Sequence, residues 1–187
     1  MTIDKSVDPV SADDMRSIAT ARLHLHPQNA GHAEEMYAVL SDPAIYEFEN
    51  APPESIDWLR ARFAKLESRR SADGAEHWLN WVIALRDGAL VGFVQATVHR
   101  DRHAGIAYVL HSRHWGQGVA SEATLAMIDE LILRYQVREF TAVLKRANHR
   151  SQKMLLRLGF VEADVPRASR AAIDADEILM TRAAQVE

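Results

Sequence analysis

The hydrophobic period of the sequence changes abruptly at Gly116-Gln117-Gly118, and this change constrains the fold more than any other feature. Before it, Gly105 to Leu110 is a short apolar run typical of a strand. After it, apolar residues recur at helical spacing from Val119 to Tyr135. Glycines at such a junction let backbone N–H groups approach an anion closely, beside the positive end of the helix. The sequence therefore predicts a strand, a turn and a helix that together form a nest for a phosphate group.

The rest of the chain predicts a mixture of strands and helices. The predicted strands are 20–26, 78–85, 89–99, 105–110, 139–144, 160–165 and 177–181, and the predicted helices are 32–40, 55–71, 119–135 and 148–158. Arg86-Asp87-Gly88 is a turn signal that joins two of the strands into a hairpin. On the 119–135 helix, we expect Ala123, Met127 and Leu131 to face the core and Glu130 to face away from it. This order predicts a mixed α/β fold with some antiparallel pairing.

Composition and charge narrow the class of protein. The chain has 187 residues, 48% of them hydrophobic, which predicts one domain at residues 18–187 behind a polar tail at residues 1–17. The net charge of −4 argues against binding nucleic acid by bulk charge. The sequence has no cysteine, and its histidines have no third ligand at a defined spacing, so we predict no metal site. Because no apolar run resembles a signal peptide or a membrane span, we expect a cytoplasmic protein that does not bind membranes.

A run of cations supports a phosphate ligand. Between Lys145 and Arg157 the sequence holds five Lys or Arg residues and no acid. On its own, such a helix could present a solvated cationic face and nothing more. Beside a glycine nest, the same charges favour a polyphosphate. The turn lacks the third glycine of a dinucleotide fingerprint and the Gly-Lys-Ser/Thr ending of a nucleoside triphosphate loop, so both of those sites are excluded.

Several motifs resemble those of the GCN5-related N-acetyltransferases (GNAT). Arg113-x-x-Gly116-x-Gly118-x-Ala120 is similar to the acetyl-CoA pyrophosphate loop of that family, and Asn148-x-x-Ser151 followed by Leu158-Gly159-Phe160 is similar to its late helix. Asn148, Ser151 and Gly159-Phe160 resemble the ribosomal-protein-alanine N-acetyltransferase branch in particular. The resemblance implies a mostly antiparallel twisted sheet flanked by helices. It also implies transfer of an acetyl group from acetyl-CoA, the co-substrate, to a primary amine.

The resemblance assigns residues to the cofactor as well. It implies that the backbone around Leu110 and His111 pairs with the pantetheine arm as an added strand. It implies that Asn148 hydrogen-bonds this arm and that Ser151 lies near the sulfur. The residues that it places around the pyrophosphate are Arg113, Gly116, Gln117, Gly118, Val119, Ala120 and Ser121.

The catalytic groups are indicated less completely. Direct attack of an amine on a thioester needs a base for the ammonium proton, a donor for the oxyanion and an acid for the thiolate, but no covalent intermediate. We expect a backbone N–H near Leu110 to be the oxyanion donor. Many members of the family have a tyrosine acid where this chain has Leu155, so Ser151 is the candidate acid, and Gly105 occupies the position of a glutamate base. The candidate bases that remain, ranked equally, are a water relay, Glu47, Glu49 and His111.

The sequence leaves the acceptor amine open. Between Glu34 and Asp57 there are seven acidic residues and no Lys or Arg. In the resembled fold this segment borders the acceptor side, where an acidic rim would attract a cationic small amine or a basic protein N-terminus. Solubility alone also accounts for these acids. A non-catalytic acyl-CoA sensor of the same fold is the alternative, because the tyrosine and the glutamate are absent, and either a monomer or a homodimer is expected.

Overall fold

Apolar and polar residues that alternate along the chain build an eight-stranded sheet with helices on both faces, described here from a computed structural model. The structure describes residues 15–48, 50–163 and 173–184. Its strands are β1 (Ile18–Ala19), β2 (Leu23–Pro27), β3 (Glu76–Leu85), β4 (Leu90–His99), β5 (His103–Leu110), β6 (Glu139–Lys145), β7 (Val161–Glu162) and β8 (Glu177–Ala183). Its α-helices are α1 (Ala33–Leu40), α2 (Ile56–Leu66), α3 (Val119–Tyr135) and α4 (His149–Arg157).

The order of the strands separates the sheet into two parts. That order is β1-β2-β3-β4-β5-β6-β8-β7, and the β5–β6 pair is parallel whereas the other neighbours are antiparallel. The parallel pairing joins only His103–Gly105 to Glu139–Thr141. Beyond it, β5 stays with β4 and β6 stays with β8, so the two strands diverge. The mixed, mostly antiparallel sheet that the sequence and the resemblance predict is confirmed.

Helices cover both faces of the sheet, which explains the continuous apolar run in β3. Leu79, Trp81 and Ile83 pack into the larger core with α3 and α4. Val82 points to the opposite face and packs with α1 and α2 in a second core. Because side chains alternate between the two faces of a strand, a strand buried on both faces loses the usual alternation of apolar and polar residues.

The predicted helices and strands are confirmed, although some of their ends differ. The 20–26 strand begins only at Leu23, because the chain turns there from β1 into β2 and the Thr20 N–H donates to the Leu23 carbonyl at 2.9 Å. The 55–71 helix ends at Leu66, and Arg69 has a φ of 53°, which a right-handed helix does not allow. The 160–165 strand is observed as Val161–Glu162, and residues 164–172 lie outside the described residues.

Glu130, which the helical pattern predicts to face solvent, is instead 4% exposed. The Arg16 guanidinium donates to both of its carboxylate oxygens, with a shortest distance of 2.7 Å, and Arg134 lies 3.6 Å away. The pattern prediction was wrong because Arg16 is 114 residues distant in the chain, so helical periodicity carries no sign of it. The boundary between tail and domain at residues 17 and 18 stays a prediction. No helix in the described part of the chain is long and apolar enough to cross a bilayer.

Candidate active site

A cleft of about 530 Å³ lies beside the end of β5 that has separated from β6. Four parts of the chain line it: the segment after α1, the last residues of β5, the glycine turn with the start of α3, and the start of α4. The residues that the resemblance places at the cofactor and that do line the cleft are Leu110, Gly116, Gly118, Val119, Ala120, Ser121, Asn148 and Ser151. His111, Arg113 and Gln117 are outside the lining that the described residues form.

The backbone of β5 turns an edge toward the cleft. The His111 N–H, directly after β5, donates to the Val91 carbonyl of β4 at 2.9 Å. Since successive residues of a strand point their backbone groups to opposite sides, the N–H and carbonyl of Leu110 point away from β4. The Trp115 indole donates to that carbonyl at 2.8 Å. The Leu110 N–H therefore lies on the side where an oxyanion donor or an added strand is expected.

The glycine turn presents backbone N–H groups to the cleft. Gly116 and Gly118 have φ angles of 74° and 78°, a region that favours glycine over other residues. Gly118 precedes α3, and no side chain among the described residues caps that helix. The N–H groups of the first turn, at Val119 to Ser121, are consequently available to an anion. Gln117 supports the turn from outside, since its side chain donates to the Arg113 carbonyl at 2.8 Å.

Arg22, which sequence reasoning did not identify, brings a cation to this turn. Its guanidinium donates to the Gln117 carbonyl at 3.0 Å and to the Glu122 carboxylate at 2.6 Å. Thr20 donates to the same carboxylate at 2.6 Å. Burial raises the pKa of Glu122, but the hydrogen bonds from Thr20 and Arg22 outweigh it and lower the pKa overall. An ionised Glu122 thus ties the turn between β1 and β2 to the first turn of α3.

The Asn148-x-x-Ser151 motif is the cap of α4. The Asn148 side-chain oxygen accepts the Ser151 N–H at 3.1 Å, and this bond fixes both residues at the wall of the cleft. Leu155, one turn further along, is 1% exposed and packs in the larger core. The position at which many family members have a tyrosine acid is therefore occupied here by a core side chain, Leu155. Ser151 provides a hydroxyl at the wall of the cleft.

The predicted cationic run of residues 145–157 divides between two environments. Lys145 bonds to Asp174, Asp176 and Glu177 at 3.1–3.2 Å, and the Asp176 and Glu177 carboxylates raise its pKa. Arg150 and Arg157, in contrast, line the cleft.

Arg150 is held in place by an aromatic ring. Its guanidinium lies 3.7 Å from the centroid of the Trp115 ring, a cation–π contact. Trp115 also lines the cleft, so the pair forms one continuous piece of the wall. The five cations of residues 145–157 were predicted as a group. Their positions along α4 decide that Arg150 and Arg157 line the cleft.

The segment after α1 forms the opposite wall, which is apolar at Ala44, Ile45 and Phe48. Asp42 attaches this segment to the end of β5: its carboxylate accepts the Ser112 N–H at 2.7 Å and the Ala44 N–H at 3.1 Å. The hydrogen bond with the Ser112 side chain is the main cause that lowers the pKa of Asp42, and the bond from the Ser112 N–H lowers it further.

The three candidate bases are not brought together. Glu47 is exposed and lies outside the cleft lining, and Glu49 lies outside the described residues. The His111 Nδ1 is 3.2 Å from the Asp42 carboxylate. His114, which sequence reasoning did not propose as a base, lines the cleft, and burial followed by the charge of Arg113 lowers its pKa. The catalytic roles of Ser151, Glu47, Glu49 and His111 stay predictions.

The acids of the 34–57 segment have other contacts in the structure. Glu35 accepts the Leu90 N–H at 2.7 Å, and Asp57 accepts from Arg60 at 2.6 Å. None of the acids of this segment that the structure describes lines the cleft, and the acidic rim stays a prediction. In the described residues, no group of three or more His, Asp or Glu is placed to hold a metal ion.

A family model and a curated relative that match this chain both describe acetyltransferases. Residues 22–161 match the model of the acetyltransferase (GNAT) domain. An uncharacterized N-acetyltransferase, p20 of Bacillus licheniformis, is 28% identical over 149 residues, which cover 78% of this chain and 83% of that protein.

Solved structures share the fold at low identity. RimL, a ribosomal L7/L12 alpha-N-protein acetyltransferase in complex with coenzyme A, has a TM-score of 0.75 at 17% identity, with 89% of this chain and 97% of that chain covered. The ribosomal-protein-S5-alanine acetyltransferase from Vibrio fischeri has a TM-score of 0.74 at 16% identity, with 89% and 96% covered. At these identities the likeness is one of fold.

Proposed function

Because this chain belongs to the acetyltransferase (GNAT) domain family, we propose that it transfers the acetyl group of acetyl-CoA to a primary amine by direct attack in a ternary complex. The observation that carries the proposal is the cleft itself. An outward-facing edge of β5 and the uncapped first turn of α3 border the same space. A strand edge suits the pantetheine arm, and a helix N-terminus suits the pyrophosphate.

Each part of the co-substrate has residues of suitable chemistry. Leu110 offers its backbone to the pantetheine arm, and Asn148 offers its side chain at the start of α4. Gly116, Gly118 and the first turn of α3 offer N–H groups to the pyrophosphate, while Arg22 and Arg150 add positive charge beside them. The solved RimL complex with coenzyme A supports this use of the fold.

The reaction needs few groups beyond these. A neutral amine attacks the thioester carbonyl, the Leu110 N–H stabilises the oxyanion, and Ser151 supplies a proton to the thiolate that leaves. The base is a water relay or one of His111, Glu47 and Glu49. A cytoplasmic location and a monomeric or homodimeric state stay predictions.

We propose a protein N-terminus as the acceptor. The wall of Ala44, Ile45 and Phe48 is uncharged and suits an amine that is attached to small or apolar side chains. The two solved ribosomal-protein acetyltransferases support this class. A small cationic amine is the second candidate, because the exposed Glu47 directly precedes Phe48 at the edge of the cleft.

Calorimetric titration with acetyl-CoA, followed by a thiol-release assay with peptide N-termini and polyamines, tests the proposal. We expect saturable binding, and release with peptides that begin with small residues. Ser151→Ala should lower kcat about 100-fold while acetyl-CoA still binds, since removal of a general acid typically costs at least that factor. Ser68→Ala, at the end of α2, is the matched control. Binding without release for every amine would instead favour the acyl-CoA sensor, and absence of binding would contradict the proposal.

A further inference from the structure

Tyr108 is a tyrosine of the cleft wall that the proposed mechanism does not use. It lies on β5, on the face that packs against α3 and α4, and its ring lines the cleft. Its hydroxyl oxygen has less than 1 Å² of exposed surface and no hydrogen-bond partner among the described residues. Since a buried hydroxyl without a partner is unfavourable, such groups in native proteins usually have a function or a missing partner.

Tyr108 and Ser151 line the same cleft. Burial raises the pKa of Tyr108, and the interaction with Ser151 lowers it by a smaller amount, so that the phenol keeps its proton at neutral pH. The Asn148 cap accepts the Ser151 N–H at 3.1 Å and holds the Ser151 backbone in the first turn of α4. Both side chains thus belong to one cleft, between β5 and α4, and the Tyr108 hydroxyl has a proton to donate there and no partner among the described residues.

We propose that Tyr108 is a positioning residue for Ser151: its O–H donates to the Ser151 oxygen when acetyl-CoA occupies the cleft, which directs the Ser151 proton to the sulfur. The inference rests on the proposed function, and it adds the group behind the acid. A donated hydrogen bond stabilises the negative charge that develops on the Ser151 oxygen as its proton leaves.

The atoms and electrons of the step balance. The amine nitrogen forms a bond to the carbonyl carbon, and the C–S bond breaks with its electron pair on sulfur. Sulfur takes the Ser151 proton, and the proton that the amine nitrogen loses returns through solvent to the Ser151 oxygen. Tyr108 keeps its proton throughout, so it acts only through Ser151.

A double-mutant cycle of Tyr108→Phe and Ser151→Ala tests this dependence. We expect Tyr108→Phe to lower kcat about tenfold, the effect of one lost hydrogen bond, with KM and the Kd for acetyl-CoA unchanged. In the Ser151→Ala background, Tyr108→Phe should have no further effect on kcat. In Ser151→Thr, which keeps a hydroxyl, the sensitivity to Tyr108→Phe should return. Tyr37→Phe, on α1, is the matched control and should leave all of these constants unchanged.

Three results would overturn the inference while leaving the proposed function intact. A tenfold loss from Tyr108→Phe in both backgrounds would mean that Tyr108 acts on the substrate directly or through the fold. An unchanged kcat in Tyr108→Phe would mean that it has no part in the reaction. A lowered Tm accompanied by weaker acetyl-CoA binding would likewise assign it a structural role. Absence of acetyl transfer by the unmodified chain would overturn the proposed function, and the inference with it.

Discussion

The two walls of the cleft are built in different ways. The cofactor wall, made of residues 116–121 and α4, presents N–H groups and arginines. The Gln117 and Asn148 side chains form local hydrogen bonds in it, and Arg22 and the Arg150–Trp115 contact join it to distant parts of the chain. The acceptor wall, as we call the proposed acceptor side at Ala44, Ile45 and Phe48, is apolar. It is attached through the hydrogen bond that the Ser112 N–H donates to Asp42, 70 residues away. The cofactor wall therefore suits an anion, whereas the acceptor wall suits an uncharged group.

The chemistry of the two walls explains why the cofactor is assigned more narrowly than the acceptor amine. Free N–H groups at a helix N-terminus, preceded by glycines with positive φ, together form a site that suits an anion. Apolar side chains in a short segment accept many amines, so they define a class of acceptor and not one compound. Four predictions test the residues that build or support each wall.

The largest effect is expected at Gly92, a residue of β4 that packs against the end of β5 at the cleft. A Cβ added there would lie 2.1 Å from the Val109 carbonyl oxygen, so β5 would have to shift. Gly92→Ala should therefore lower the free energy of unfolding by about 3 kcal/mol, the upper end for an overpacked site. Chemical denaturation measures the loss. Gly105→Ala is the control, since its Cβ would lie 3.9 Å from the Thr141 hydroxyl, and equal losses in the two variants would contradict the prediction.

Arg150 should contribute more to cofactor binding than Arg113 does. Arg150 lines the cleft and stacks on Trp115, whereas Arg113 lies outside the lining that the described residues form. Arg150→Ala should weaken acetyl-CoA binding about tenfold, as expected for one charge-assisted contact. Arg113→Ala should weaken it by about twofold, as for an exposed charge. Calorimetry distinguishes them, and the reverse order would restore Arg113 as the pyrophosphate ligand that the resemblance implies.

Asp42 should stabilise the acceptor wall in a pH-dependent way. Its folded pKa is lowered from 3.8, chiefly by the hydrogen bond with the Ser112 side chain. A lowered folded pKa means that the stabilisation is complete above the unfolded pKa and is lost as the pH falls through the folded one. Asp42→Asn should cost about 1 kcal/mol at neutral pH, the value of one hydrogen bond. Its difference from the unmodified protein should shrink in acid.

The control for Asp42 is Asp57→Asn, because the Asp57 side chain is 91% exposed. Thermal denaturation at neutral and acidic pH should give a difference that depends on pH for Asp42→Asn and a small constant one for Asp57→Asn. A constant difference for both variants would mean that Asp42 does not attach the acceptor wall through its charge.

The smallest effect is expected at Glu47, beside the acceptor wall. If a cationic amine is the acceptor, Glu47→Gln should raise its KM about twofold at low salt and flatten the salt dependence, because long-range attraction between exposed charges is screened by ions. Glu34→Gln, in the same acidic segment, is the control. Unchanged values at low salt would remove Glu47 from the acceptor site and favour an uncharged peptide N-terminus.

Local patterns predicted the elements that local forces form. The glycine turn, the α3 helix and the α4 cap were all predicted, because the residues that make them are neighbours in the sequence. The predictions were wrong where a distant partner decides, as at Glu130, or where the chain reverses, as after Leu66. In the site, Leu110, Ser151 and the glycines were placed at the cleft, whereas Tyr108, Arg22 and the Arg150–Trp115 pair were found only in the structure.

By itself, the sequence determined the order of helices and strands, the turn that suits an anion and the family that these motifs resemble. Periodicity, glycine conformation and capping all act over a few residues, so they can be read from neighbours. Only the tertiary structure decided where β5 and β6 diverge, which arginines line the cleft and which tyrosine lines it together with Ser151. Each of these depends on the register between strands and on packing between residues far apart in the chain, which no local pattern encodes.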